Sequence, residues 1–160
     1  QAGIIVGKKE YIDKMRSHQL LRAIRIDKMA TAVLEAVTLL YLNKEAKQAV
    51  PVWHMMGITA EEISERAKAL AAKINLSGIT AEVKPGLSMV GGGSLPDQTL
   101  STFVVTIKPE ISLEAFSSRL RVSTPPVIGR IEDERFVLDL RTVFPEQEEV
   151  LLQQITENAR

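Results

Sequence analysis

The hydrophobic positions of this chain recur with two different periods, and the changes from one to the other mark out its elements. Gln1 to Gly7 holds the apolar run Ile4, Ile5 and Val6 between glycines, the pattern of a short strand buried inside a larger sheet. Such a strand needs partners, and the next alternating run begins only near Ile79. From Lys8 to Ser17, Tyr11, Ile12 and Met15 fall at helical spacing, and Leu20, Leu21 and Ile24 carry the apolar pattern into a turn. Asp27 is placed to cap a helix running to about Asn43. Between Met29 and Leu42 that helix carries a single charge, Glu35, so it is apolar nearly all round and predicts cover from another domain or subunit as well as its own. Val50 to Met56, with Pro51, Trp53 and His54, reads as a connector.

Thr59 and Glu62 have the capping-box form, and Ile63, Ala67, Leu70 and Ile74 make one stripe, which predicts an amphipathic helix over 60–75. Ile79, Ala81 and Val83 alternate with polar residues, as do Phe103, Val105 and Ile107, so both runs predict half-buried strands. Ser112 can cap a helix carrying Leu113, Phe116 and Leu120. Val127 to Ile131 and Arg135 to Leu140 predict a hairpin, and Pro145 suits the first position of a terminal helix to about Asn158. The fold class expected is α+β: an antiparallel sheet of three to four strands with helices on one face. The unpartnered opening strand and the apolar helix both predict a piece of a larger protein.

Composition narrows the function. The 160 residues hold 20 Lys plus Arg, 20 Asp plus Glu and no Cys. Zero net charge argues against polyanion binding by the surface as a whole, and the lack of thiols removes cysteine nucleophiles, disulfides and thiolate metal sites. The two histidines, His18 and His54, have no carboxylate pattern around them, so no metal site is expected. No apolar run reaches the length of a spanning helix and no signal segment opens the chain, which reads as soluble and intracellular. The charge is uneven, however: Lys8 to Lys28 holds seven basic residues against Glu10, Asp13 and Asp27.

Within that basic stretch Arg22 and Arg25 are three apart, so on a helical turn they share a face and could close on one phosphate-like oxyanion. The alternative is a solvated surface with Arg25 paired to Asp27 or Glu10. Met89 to Pro96 contains three consecutive glycines, Gly91 to Gly93, which mark either a backbone needing positive φ or close approach, or a plain hairpin turn; no phosphate-loop context surrounds them. His18 could stack or relay a proton, or serve the local structure. His54 reads as packing and Glu132 to Glu134 as a solvated turn. Arg119, Arg121, Arg130 and Arg141 lie near strand ends, where any one could face a ligand.

Gln-Ala-Gly-Ile-Ile-Val-Gly (1 to 7), His-Gln-Leu-Leu-Arg-Ala-Ile-Arg-Ile-Asp-Lys (18 to 28), Ser-Met-Val-Gly-Gly-Gly-Ser-Leu-Pro (88 to 96), Pro-Pro-Val-Ile-Gly-Arg-Ile (125 to 131) and Leu-Asp-Leu-Arg-Thr-Val (138 to 143) together give a further lead. Through them the chain closely resembles the bacterial selenocysteine synthases, the L-seryl-tRNA(Sec) selenium transferases, over essentially its whole length. The resemblance implies a fold-type-I enzyme dependent on pyridoxal 5'-phosphate (PLP). It implies that residues 1–26 end the PLP-binding large domain, 27–50 form a long interdomain helix and connector, and 51–160 form the C-terminal small domain. The family's Schiff-base lysine would lie a few residues before Gln1, so the piece alone is expected to be inactive, with Gln1 the one residue assigned near the cofactor. Arg22 and Arg25 match the family's active-site arginines, thought to hold the selenium donor, selenophosphate. The reaction implied dehydrates the seryl group on tRNA(Sec), and selenide adds to the product; the implied setting is cytoplasmic, in a homo-oligomer built as a ring of dimers. His18 and Gly91 to Gly93 also match family positions, without an assigned mechanism. Two other readings stand beside this one: a PLP-dependent lyase acting on a small phosphorylated amino acid or amino-sugar acid, and a non-enzymatic binding or assembly module.

Overall fold

The computed structural model describes residues 2–91 and 98–160. The chain divides into two compact units, Gln1–Trp53 and His54–Arg160. In the first, α1 (Lys9–Ser17) is followed by the short α2 (Leu21–Ile24), α3 (Lys28–Leu42) and α4 (Ala46–Ala49). Asp27 caps α3 as its position predicts, its carboxylate accepting the Ala30 N–H at 2.7 Å. At the other end Lys44 takes the left-handed conformation, φ 61°; its N–H bonds Tyr41 O at 3.1 Å and the Glu45 N–H bonds Leu40 O at 2.9 Å. That pair of bonds satisfies carbonyls the helix would otherwise leave open. No residue of α3 is buried, and only Ala30, Val37 and Leu40 are half-buried.

One expectation is corrected here. Ala2 to Gly7 form no strand and are exposed, because a strand's backbone groups need a neighbouring ladder and the described strands pair only with one another within the second unit. Val50 to Met56, read as a connector, is largely helical: α5 (Pro51–Gly57) starts at Pro51, whose fixed φ suits a first helical position.

The second unit contains α6 (Ala60–Leu76), β1 (Thr80–Met89), β2 (Thr99–Lys108), α7 (Leu113–Val122), β3 (Arg130–Glu132), β4 (Arg135–Asp139) and α8 (Glu148–Asn158). Its sheet has four strands in the order β1-β2-β4-β3, antiparallel throughout. This is the α+β fold with an antiparallel sheet that the alternating runs predict. Register places Val83 opposite Val105 and Val105 opposite Leu138, so Ala81, Val105, Ile107, Phe136 and Leu138 share one face. Against that face pack Ile63, Ala67, Leu70 and Ile74 of α6, Phe116 and Leu120 of α7, and Ile155 of α8. Phe116 and Phe136 meet edge to face at 5.0 Å, and both are fully buried. Each such side chain contributes roughly 1.5–3 kcal/mol by leaving water. The opposite face of the sheet carries Glu82, Lys84, Thr102, Thr106, Arg135 and Asp139.

Small residues close the connections. Gly78 follows α6 with φ 87°, a conformation that side chains rarely adopt. A Cβ on Gly129 would fall into the Phe136 ring and 2.8 Å from Val137 O, so only glycine lets the chain lie this close to β4 there. Along the outer edge of β1 the Asn75 amide acts as a strand fragment: Ala81 N–H donates to its Oδ1 and its Nδ2 donates to Ala81 O, both at 2.9 Å.

Candidate functional site

The basic stretch is built from local hydrogen bonds. α1 ends at His18, whose backbone N–H bonds Met15 O at 3.1 Å and whose Nδ1 accepts the Leu20 N–H at 3.2 Å. The ring thus helps turn the chain from α1 into α2. Arg22 lies in α2, and Arg25 caps it, its N–H bonding Leu21 O at 3.0 Å before ψ opens to 139°. Both arginines therefore leave the same short turn, and both are exposed. The ion pairs that would occupy them are absent among the described residues. Asp27 is committed to the cap of α3, and Glu10 pairs with Lys14 at 3.0 Å. Two exposed guanidinium groups at one turn, without an internal carboxylate partner among the described residues, can accept an external oxyanion. Gln1, Gly92 and Gly93 lie outside the described residues, as does most of the glycine-rich segment; Gly91 has φ 111° and follows β1.

The arginines of the second unit have separate fates. Arg130 pairs with Glu132 at 3.0 Å, Arg119 donates to Arg160 O at 2.5 Å, and Arg121 is exposed. Arg141 is only 5% exposed. Its guanidinium donates to Met55 O at 3.0 Å, Ile58 O at 2.8 Å, Ser101 O at 2.7 Å and Ser88 Oγ at 2.9 Å. The Ser88 hydroxyl in turn donates to Asp139 at 2.5 Å, and the Asp139 carboxylate also takes the Thr102 hydroxyl and the Arg141 N–H, each at 3.0 Å. Arg141 is therefore a strut, buried and with its guanidinium hydrogen-bonded to protein acceptors. Alternation along β4 and the turn after it puts Asp139 on the other side from Leu138 and Leu140, but that signal does not reveal that Arg141 points inward.

The same end of the sheet borders a cavity of about 650 Å³, whose lining includes Ser88, Asp139, Met89, Ile128, Val143 and Val150. His54 stacks on Phe144 at 5.7 Å, in keeping with a packing role. Asp133 and Glu134 form a left-handed turn at φ 46° and 55°. Among the described residues no group of three or more His, Cys, Asp or Glu could hold a metal ion, and no helix is long and apolar enough to cross a membrane.

The sequence pattern of one family, L-seryl-tRNA selenium transferase, matches residues 1–144. The chain belongs to that family. It is 44% identical over 150 residues to the L-seryl-tRNA(Sec) selenium transferase of Carboxydothermus hydrogenoformans, covering 92% of this chain and 32% of that protein. The proteins of the same name from Alkaliphilus oremlandii (45% over 161 residues; 98% of this chain, 34% of the relative) and Maridesulfovibrio salexigens (46% over 153; 92% and 33%) are similarly related. The chain spans about a third of the length of these relatives. In this selenium transferase family member the matched region includes the arginine turn, His18 and the Ser88, Asp139 and Arg141 cluster.

Proposed function

We propose that the chain is the C-terminal part of a PLP-dependent enzyme that converts seryl-tRNA(Sec) to selenocysteinyl-tRNA(Sec), and that Arg22 and Arg25 hold its anionic donor, selenophosphate. The observation that carries the reading is the arginine turn: two exposed cations with no acidic partner among the described residues, inside the region matched by a selenium transferase family. The domain reading goes with it, 1–26 as the end of the large domain, 27–50 as interdomain helix and connector and 51–160 as the small domain. A cytoplasmic homo-oligomer acting on tRNA is the setting we assign to the whole enzyme.

Bound PLP supplies an electron sink for chemistry at the carbon next to the amino group. The lysines of this chain do not fit that cofactor, since every one of them is exposed. We therefore assign the Schiff-base lysine to the preceding part of the enzyme and infer that these residues alone are inactive. What the chain contributes is donor binding. Two planar forks at one turn orient an oxyanion by charge-assisted hydrogen bonds and leave its selenium free to be transferred.

The test is Arg22→Ala and Arg25→Ala in the whole enzyme at subsaturating selenophosphate. Loss of charge-assisted bonds worth about 1.5–3 kcal/mol lowers selenium transfer by roughly 10- to 150-fold in each variant, with cofactor absorbance unchanged. Arg→Lys restores little, because one ammonium cannot replace two parallel donors. Wild-type transfer in both alanine variants overturns the assignment. Turnover of a small phosphorylated amino acid in place of seryl-tRNA(Sec) favours a lyase.

A further inference from the structure

Resting on that reading, we propose that Lys8, Lys9 and Arg16 of α1 form a docking surface for the phosphate backbone of the RNA substrate, separate from the arginine turn that holds the donor. Seven basic residues fall within Lys8 to Lys28 of a chain with no net charge, so attraction for a polyanion has to come from a local patch, and this stretch supplies one. Lys8, Lys9 and Arg16 are exposed and make no ion pair among the described residues. Of the three acidic residues nearby, Glu10 is engaged by Lys14, and Asp13 and Asp27 complete a stretch in which seven cations stand against three anions.

Placement adds a second argument. Lys8 is the N-cap of α1, where it makes no capping hydrogen bond, and Lys9 is the first helical residue. The positive end of a helix favours acidic or capping side chains, so two ammonium groups there oppose the local stability of α1. An anion brought from outside reverses that sign. Lys9 and Arg16 are seven residues apart, hence on one face and about 10 Å apart along the axis. Cations strung along an exposed helix suit an extended polyanion better than a small anion. An RNA whose acylated end meets a donor held at Arg22 and Arg25 comes near α1, which ends at Ser17, just before the turn that carries both arginines. A lipid surface suits it less well, because α1 has only nine residues and presents little beyond Tyr11 and Met15 to insert.

The whole enzyme carrying Lys8→Gln, Lys9→Gln and Arg16→Gln is compared with a control triple, Lys73→Gln, Lys108→Gln and Arg121→Gln, whose three cations lie outside this stretch. Seryl-tRNA(Sec) affinity is measured by anisotropy between about 50 and 200 mM salt. The α1 triple is expected to bind at least about tenfold more weakly at the low-salt end, with a salt slope shallower by about one for each phosphate that is no longer neutralised. The control keeps wild-type affinity, slope and turnover. An unchanged slope in a folded α1 triple overturns the proposal, as does an equal loss in the control, or loss of binding to phosphatidylserine vesicles with RNA binding intact. If the triple fails to fold, the three single Gln variants are read in the same way, and wild-type slopes in all of them overturn it. A wild-type enzyme that transfers selenium to seryl-tRNA(Sec) while the α1 variants bind normally rejects this surface alone. A wild-type enzyme that neither binds nor uses seryl-tRNA(Sec) rejects the functional reading and the surface together.

Discussion

Thr59 donates both its backbone N–H and its hydroxyl to the Glu62 carboxylate, each at 2.9 Å, and the Glu62 N–H returns to Thr59 Oγ1 at 3.2 Å. The backbone bond first, then the hydroxyl, hold the Glu62 carboxyl below the usual glutamate range, with smaller help from the charges of Arg66 and His54. A folded-state pKa lowered in this way gives stability that is fully present above the unfolded value and is lost as pH falls through the folded one. Urea midpoints of the second unit are therefore expected to fall less steeply on acidification in Glu62→Gln than in the wild type, and parallel acid limbs in the two proteins would refute the role given to the carboxylate. This cap is legible in sequence because Thr and Glu three apart report a local geometry. Arg141 is not, since a strut and a ligand-facing arginine look alike until the chain is folded; here four donors meet three carbonyls and a serine. The Arg22 and Arg25 pair lies between these cases: spacing places both on one turn, and only the structure shows Asp27 and Glu10 occupied elsewhere.

At the scale of elements, β1 forms one margin of the sheet and is ten residues long, enough to recruit a foreign strand. Two devices blunt it. Asn75 occupies the N–H and C=O of Ala81, and Pro85 has no N–H to offer. Asn75→Ala removes two hydrogen bonds of about 0.5–1.5 kcal/mol each and gains some helix propensity, so a net loss of about 1 kcal/mol is expected in denaturant unfolding, with faster aggregation at the freed edge. Unchanged stability together with an unchanged aggregation rate would show that the edge is guarded by other means. The alternating runs around Ala81 and Val105 and the stripe on α6 announce these elements because burial on one face imposes its period on the sequence. The run from Ala2 to Gly7 misleads for the converse reason: apolar residues specify burial, and a strand forms only where another strand supplies its hydrogen bonds. In α5, Pro51 reads equally well as a break or as a helix start, and the backbone beyond it decides.

At the scale of the whole molecule, the two units differ in what holds them. The second has a continuous core from Ile63 to Ile155, whereas the one described residue buried in the first is Ala46. Helix α3 is apolar nearly all round, yet Met29 is 77%, Val33 60% and Leu42 72% exposed. Covering about 400 Å² of such surface yields roughly 10 kcal/mol at 25 cal/mol per Å². The freedom lost on association costs an estimated 4–15 kcal/mol, so the balance lies close to zero and turns on concentration. This chain is accordingly expected to self-associate through α3 as its concentration rises, with light-scattering mass increasing and α3 amides becoming slower to exchange. Met29 and Val33 are one helical turn apart, and a charge on either has to be desolvated at such an interface. Met29→Glu and Val33→Glu should hold the chain monomeric while leaving the urea midpoint of the second unit unchanged, because neither residue belongs to its core. A wild-type chain that stays monomeric across the whole concentration range, with α3 amides exchanging at one rate throughout, would mean that α3 does not mediate self-association.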